Sequence, residues 1–545
     1  MDEGRDEIPL SATGSDCALV VGSGPAGVAA SLALLERGHS VTMLDFGREI
    51  EPEVARVAAP AAGLPYERWS PELRRTLASI TGPMEDGLPM KTNFGSDFAV
   101  RGEPDLMPLE IRDARILTSL ARGGLSNLWG ANVLSFSAGD FTGWPIGEAD
   151  LREGYRAVLR HVPLSAVRGD DLEREFPLHT DHLEERPLSE QARQMLADLT
   201  SHRDALRERG ITFGPSRLGL RTAASESDPG CVRCGFCLNG CPHDLIYSSA
   251  QTLATLERDP RFRYQGGHYV TRFAETARGV VVHAVRALDR AAVRFEGSRL
   301  FVAAGSYSTP RLMLESLDRY ASEVLMLESQ YFLIPALQWK SSPRAAQERL
   351  TTLSQLCLRL RDASCGAHDV HLLVYTYNPL YLQVLKGTLA GLVPGLAKAL
   401  VARLVSLQGY LHSDVSPRLA LSLRRNAAGP ATLVVEGRVN PESARIVRRV
   451  EARIRGLGPR LCATPVPFMT KIAAPGKSYH SGGTFPMKRD PGERDTDLLG
   501  RPAGFSRVHL ADASVFTTIP STNMTLTVMA NAWRIAAASC ALEGR

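Results

Sequence analysis

The run Gly22-Ser23-Gly24-Pro25-Ala26-Gly27 lies between an apolar stretch, Ala18–Val21, and a segment of helical composition at 26–36. A second apolar run at 40–44 ends at Asp45. Strand, glycine turn, helix and strand in this order make one βαβ unit, and no other feature constrains the chain as much. In G-x-G-x-x-G the first glycine makes the tight turn, the second lets a pyrophosphate approach the backbone, and the third lets helix and strand pack closely. The helix N-terminus then faces the anion. An acid closing the second strand is placed to accept a ribose hydroxyl. The pattern assigns Gly22, Gly24, Gly27 and Asp45 to a dinucleotide, against an ordinary tight turn as the competing reading. The turn alone does not separate FAD from NAD.

At 545 residues the chain is too long for one compact core and suits two or three interlocked domains. The net charge of +4 is small for this length, and no Lys/Arg-dense run or aromatic–basic ladder appears, so nucleic acid is not an expected partner. Residues 1–16 read as a flexible, acidic and polar tail without the basic and apolar regions of a signal peptide. No uninterrupted apolar stretch reaches the ~18 residues of a spanning helix. The expectation is a cytoplasmic protein.

Of nine cysteines, four stand in one run: Cys231, Cys234, Cys237 and Cys241, followed by Pro242. This is the C-x₂-C-x₂-C-x₃-C-P spacing of bacterial ferredoxins, and in a chain without a secretion signal it points to metal before disulfides. Gly235 and Gly240 permit close backbone approach to sulfur. In two-cluster ferredoxins the fourth cysteine serves the other cluster, and here there is one such run. Cys241 therefore closes on the same cluster, or a remote cysteine completes it, or the site is three-iron: the readings are a 4Fe-4S or 3Fe-4S cluster. Zinc, whose ligands come as separated pairs, and free structural thiols are the alternatives.

The end of the chain resembles a known family. His480-Ser-Gly-Gly-Thr484, then Val508-His-Leu-Ala-Asp512-Ala-Ser514, then Pro520-Ser-Thr-Asn523 are similar to the terminal signature of the glucose–methanol–choline (GMC) flavoenzymes. Gly123-Gly124-Leu-Ser126-Asn127, with Trp144-Pro145 beyond it, looks like that family's flavin-contacting loop. Residues 301–305, Phe-Val-Ala-Ala-Gly, resemble its strand and turn near the adenine end. The resemblance runs in the family's order from residue 22 to residue 535. It departs in two places: Met524 stands where Pro often follows the terminal Asn, and the glycine loop lacks the His through which some members attach FAD.

The resemblance implies an α/β fold of GMC type, with a Rossmann-like FAD-binding domain and a substrate domain made of a sheet covered by helices. The FAD-binding domain would come from 17–144, 231–325 (opening on the cysteine loop) and 472–545, with a helical insertion at 145–230 and the substrate domain at 326–471. It implies non-covalent FAD, contacted by Gly123, Gly124, Ser126, Asn127, Val270, Ala304, Asp512 and Thr525 as well as by the first turn. It implies oxidation of a small alcohol (a sugar, polyol or natural-product scaffold). His480 would be the base, because imidazole accepts a proton near neutral pH, and Asn523 would hold the substrate oxygen. A polar loop histidine and a helix N-cap are the bland readings of these two residues. His509 reads as structural, and no histidine pair on a helix face suggests metal.

An iron–sulfur cluster would pass single electrons, which favours a dehydrogenase with a one-electron acceptor protein over an O₂-using oxidase. A lyase keeping FAD structurally, an NAD(P)-linked reductase and a silent flavin-binding protein are rivals. Residues 391–406, with Lys398 and Arg403 as their charges, read as a buried or oligomer-facing helix before a peripheral membrane contact.

Overall fold

The structure, a computed structural model, describes residues 17–541 other than 81, 83, 86–87, 90, 226–227, 380 and 382–393. The expected flexible tail lies outside the described residues, as do residues 391–393 of the apolar stretch. The glycine turn sits where the βαβ reading places it. Strand β1 (Ala18–Val21) leads into helix α1 (Pro25–Glu36) and strand β2 (Val41–Leu44). Three later segments complete an all-parallel sheet: β3 (Phe262–Gln265), β4 (Arg299–Val302) and β5 (Val508–Leu510). The order is β5-β4-β1-β2-β3. β1, β2, β4 and β5 are buried throughout, as a parallel sheet covered on both faces requires. The last helix, α2 (Thr525–Cys540), packs against α1. Both helices are apolar and buried over most of their circumference, so neither needs an amphipathic stripe.

A second, antiparallel sheet of seven strands carries the other half. Its backbone is Tyr331–Gln338, Leu404–Tyr410, Val370–Tyr375, Leu356–Leu360 and Ile211–Pro215 in spatial order. One face packs on helices Glu190–Ser201 and Pro441–Gly456 through Met195, Leu199, Val447 and Val450. Two findings redraw the expected boundaries. Ile211–Pro215, inside the segment read as a helical insertion, is an edge strand of this sheet. Arg418–Arg424 and Thr432–Arg438, inside 326–471, pair with Val324–Glu328 and Leu109–Arg112, and their inward Leu419, Leu421, Leu433 and Val435 join the core of the parallel sheet.

The apolar stretch at 391–406 is also not one helix. Pro394–Val401 is helical, and from Leu404 the chain is a central strand with Val405 and Leu407 buried. Five of its seven residues are buried, the near-continuous burial of a strand covered on both faces, which bulk apolarity alone does not separate from a helix. Among the described residues no helix is long and apolar enough to cross a membrane.

Candidate active site

A cleft opens at the C-terminal edge of the parallel sheet, where ligands of open α/β sheets bind. Of the residues singled out from sequence, Gly22, Gly24, Asp45, Gly124, Val270, Ala304, Asp512 and Thr525 line it. The glycines divide by role. Gly22 has φ +98°, and a Cβ there would stand 2.5 Å from the Ala303 carbonyl oxygen. A Cβ on Gly27 would meet Gly22 O at 1.9 Å, so this glycine serves helix–turn packing and does not line the cleft. A Cβ on Gly24 meets nothing within 4 Å: it would project into open space, where a ligand's backbone contact is expected.

Two helix N-termini meet this space without side-chain caps. Gly24 stands at the cap of α1 and Met524 at the cap of α2, and neither position has a side-chain cap hydrogen bond. Uncapped N–H groups and the positive end of the helix dipole suit anionic groups. The cleft therefore fits a dinucleotide: α1 for a pyrophosphate, α2 for negative charge at the far end.

Around it, short polar links lock two glycine loops together. Ser23 Oγ donates to Asp45 Oδ2 and accepts from Gly123 N–H at 2.9 Å. Tyr264 OH donates to the same Asp45 oxygen at 3.0 Å. Burial pushes the Asp45 carboxyl up to about 6, against those two hydrogen bonds. Ser126 Oγ donates to Gly123 O at 2.6 Å, and Asn127 Nδ2 donates to Gly124 O at 2.7 Å. Ser126 and Asn127 thus shape the loop from behind. Asp512 does likewise, accepting from Gly305 N–H at 2.8 Å and Thr309 Oγ1 at 2.5 Å. Ser23 and Tyr264 were not singled out from sequence. Ser23 occupies a variable place in the glycine motif, and Tyr264 comes from a strand more than two hundred residues downstream.

His480 and Asn523, distant in sequence, meet beside the cleft, and their neighbours Tyr479, Ser481 and Met524 line it. Asn523 Nδ2 lies 3.3 Å from His480 Nε2. With the amide oriented so, Nε2 is the acceptor and the imidazole proton sits on Nδ1. Burial holds the His480 pKa down to about 4, so the ring is neutral at pH 7. Its face stacks on Tyr410, centroids 4.5 Å apart. His480 Nδ1 and Asn523 Oδ1 are buried without a protein partner among the described residues. Asn523 is not the helix cap: α2 begins two residues later, which leaves the amide free for the histidine.

The loop before His480 is held by Glu328, which accepts from Gly476 N–H at 2.7 Å and Ser478 Oγ at 3.3 Å. Ser478 Oγ in turn accepts from His480 N–H at 3.2 Å. Burial raises the Glu328 carboxyl to about 8. Tyr479, at φ +57°, carries backbone strain directly beside the histidine. No spacing rule points to Glu328 or Tyr410, because both reach the site through long-range strand pairing.

The cysteine run forms a loop against an apolar wall of Leu218, Leu220, Leu245 and Leu353. All four cysteines are free thiols. Leu245 N–H donates to Cys241 Sγ at 3.4 Å. Left-handed backbone at Arg233, Gly235 and Gly240 turns the chain around the sulfurs. Among the described residues no three cysteine sulfurs lie within 4.8 Å of one another.

One histidine group escaped the sequence reading, which found no support for a histidine metal site. His368, His412 and Asp414 bring ligand atoms within 4.8 Å of one another, the two rings stacked at 3.8 Å. His412 and Asp414 share one short turn and His368 comes from another loop, so spacing does not reveal the three together. His509 packs on Phe301, ring centroids 4.9 Å apart, and bonds the Leu499 carbonyl at 2.9 Å.

Residues 461–532, which include His480, Asp512, Asn523 and Thr525, match the family model described as GMC oxidoreductase. No curated protein matches the sequence. Among solved structures the chain is similar to pyridoxine 4-oxidase from Mesorbium loti, at 14% identity and TM-score 0.60, over 96% of this chain and 98% of that one. It is also similar to the formate oxidase of Aspergillus oryzae RIB40, solved for the effect of a mutation on FAD modification, at 13% identity and TM-score 0.58, over 98% of this chain and 100% of that one. At such identities the likeness is one of fold. The chain therefore has the GMC-type α/β fold over nearly its whole length and is similar in sequence to GMC oxidoreductases in its C-terminal segment.

Proposed function

We propose that this protein is an FAD-dependent oxidoreductase that oxidises the alcohol group of a small organic molecule. One observation carries the reading: His480 and Asn523 meet at 3.3 Å beside a cleft headed by two uncapped helix N-termini. The family match at 461–532 supports FAD over NAD. When bound, FAD supplies the hydride acceptor. The protein's part is to take the hydroxyl proton and fix the geometry. A substrate hydroxyl entering between the pair would accept from Asn523 Nδ2 and donate to His480 Nε2. The neutral imidazole takes that proton as the carbon-bound hydride leaves, and the alcohol becomes a carbonyl. Tyr410 keeps the ring plane fixed. Glu328, through Ser478, keeps the loop in place. Substrate identity within the sugar, polyol or natural-product class is read by anaerobic mixing with such alcohols. Bleaching of the flavin absorbance identifies a substrate, and a full panel that leaves the flavin oxidised rejects the reading. Acid precipitation should leave the yellow colour in the supernatant, as non-covalent FAD requires.

The second part of the reading is an iron–sulfur cluster at Cys231, Cys234, Cys237 and Cys241, passing electrons singly to an acceptor protein. Ferredoxin spacing, left-handed backbone turning the chain at Arg233, Gly235 and Gly240, and the Leu245 N–H bond to Cys241 Sγ support it. The loop is also tied to the cleft: Ser249, just beyond it, donates to Ser23 O and Gly123 O. Iron and acid-labile sulfide on anaerobically purified protein test it. Fully active enzyme without iron rejects it.

A further inference from the structure

We propose that the alcohol oxidised here is carried on an aromatic ring, as in an arylmethanol, and that Tyr331 and Tyr410 form the surface that selects it. This rests on the oxidation reading above and names its substrate class. The two faces of the seven-stranded sheet differ. Along Tyr331–Gln338 and Leu404–Tyr410 the side chains alternate between them. Phe332, Ile334, Val405 and Leu407 turn one way and are buried in the core shared with the helices. Tyr331, Leu333, Gln408 and Tyr410 turn the other way, and the register sets Tyr331 opposite Tyr410 and Leu333 opposite Gln408. Tyr331, Leu333 and Gln408 are half-buried, although both strands have paired neighbours on either side. Neighbouring strands close the sides, so these residues are reached from the face.

His480 lies on that face. Its ring stacks on Tyr410, centroids 4.5 Å apart, and Tyr331 continues the aromatic surface, its centroid 5.6 Å from that of Tyr410. An alcohol oxygen held between His480 Nε2 and Asn523 Nδ2 therefore brings the rest of its molecule beside two tyrosine rings. The polar tips here are already engaged. Gln408 Nε2 donates to Tyr331 OH at 3.2 Å, and Tyr381 OH and Ser406 Oγ share a hydrogen bond at 2.6 Å. Two cations of this face stand to its sides: Arg359, paired with Glu175 and Asp369, and Lys471, exposed beside Leu333. A polyol would need a partner for each hydroxyl it takes out of water. A flat ring needs apolar area and ring faces or edges at stacking distance, which Tyr331, Tyr410 and Leu333 provide. Oxidation then takes the hydroxyl proton to His480 and the carbon-bound hydride to FAD, and leaves the aryl aldehyde.

The test uses FAD-loaded protein without oxygen, with benzyl alcohol, cyclohexylmethanol and glucose as probes. A benzylic carbon gives up hydride readily whatever holds it, so affinity is read instead of rate. Kd comes from the concentration dependence of flavin bleaching, or from competition where a probe does not react. Benzyl alcohol should bleach the flavin and bind about tenfold more tightly than cyclohexylmethanol, its saturated counterpart, with glucose weaker still. In Tyr331→Leu the Kd for benzyl alcohol should rise about three- to tenfold, the worth of one aromatic pair, with the limiting bleaching rate within about twofold of wild type. Tyr331→Phe keeps the ring and should keep the affinity. FAD content reports the folding of each variant, and the wild-type comparison stands without any of them. Cyclohexylmethanol or glucose bound as tightly as benzyl alcohol overturns the aromatic assignment and leaves alcohol oxidation standing. An unchanged Kd in FAD-loaded Tyr331→Leu overturns the part given to Tyr331. Flavin that no alcohol bleaches overturns both readings.

Discussion

At the cleft, the groups that face an anion are the bare N-termini of α1 and α2, brought close by glycines, with the Arg311 guanidinium also in the lining. At the cysteine loop the chain turns through left-handed backbone at Arg233, Gly235 and Gly240 against an apolar wall of Leu218, Leu220, Leu245 and Leu353. The cleft's two carboxyls are already bonded, Asp45 by Ser23 and Tyr264 and Asp512 by Gly305 N–H and Thr309. A backbone site tolerates a ligand's arrival and departure, since water can satisfy the N–H groups of an open cleft. A cluster on cysteine thiolates would instead be held by coordinate bonds to sulfur. The difference predicts an exchangeable cofactor in one place and a resident one in the other.

The largest expected effect separates the two regions outright. Gly24→Val projects its side chain into open cleft space, whereas any Cβ at Gly27 strikes Gly22 O at 1.9 Å. Gly24→Val should therefore fold, keep its iron and lose nearly all FAD, with a thermal midpoint equal to that of FAD-stripped wild type. A Gly24→Val protein with a full complement of FAD would break the assignment of that space to the cofactor.

Next come the kinetic effects, which should fall on different steps. His480→Ala should keep FAD and slow flavin reduction by alcohol by a factor of about 10²–10⁴, the usual loss for a general base. Asn523→Ala should be milder. Cys234→Ser should leave flavin reduction intact and impair delivery to a one-electron acceptor. In wild type the reduction rate should be level above pH 5 and fall as His480 is protonated near its depressed pKa of about 4. Stopped-flow traces of each variant against pH check both claims, and equal flavin reduction in His480→Ala and wild type would remove His480 from the mechanism.

The same contrast explains what the sequence makes legible. Glycines at 22, 24 and 27 act through local backbone, and a run of four cysteines acts through local spacing, so both can be read from adjacent letters. His480 and Asn523 are readable because each opens a short signature of its own. Glu328 and Tyr410 are not. Each enters its site from a remote strand, and a lone Glu or Tyr in sequence carries no mark of what it will face. The seven-stranded sheet is the extreme case. Its edge strand at Ile211–Pro215 lies over a hundred residues from its partner at Leu356–Leu360, and the apolar stretch that becomes its centre reads as a helix until strand pairing decides otherwise.

The smallest effect tests whether Asp45, the acid beside the glycine turn, behaves as a hydrogen-bonded acid. Asp45 has its pKa raised to about 6 by burial, and the Ser23 and Tyr264 hydroxyls, which favour the carboxylate, hold it from rising further. A carboxylate accepts a ribose hydroxyl with its full lone-pair capacity, and the protonated acid accepts less well. FAD affinity in wild type should therefore be highest above pH 6 and decline as pH falls through that value. Tyr264→Phe removes one of the two stabilising donors, at a cost of about 1.5–3 kcal/mol for a hydrogen bond to a charged group if all of it reached the ligand. Part of that is returned because Asp45 Oδ2 keeps Ser23, so a loss of FAD affinity toward the lower end, about tenfold at pH 7, is expected. The sign on pH is fixed: with a donor gone the carboxyl titrates higher, and the decline in affinity begins at a higher pH than in wild type. Fluorescence titration of FAD-stripped protein between pH 5 and 8 measures both quantities. An affinity that is flat over this range in wild type, or a midpoint that moves down in Tyr264→Phe, would show that Asp45 binds nothing through its charge and that the cleft is a backbone site throughout.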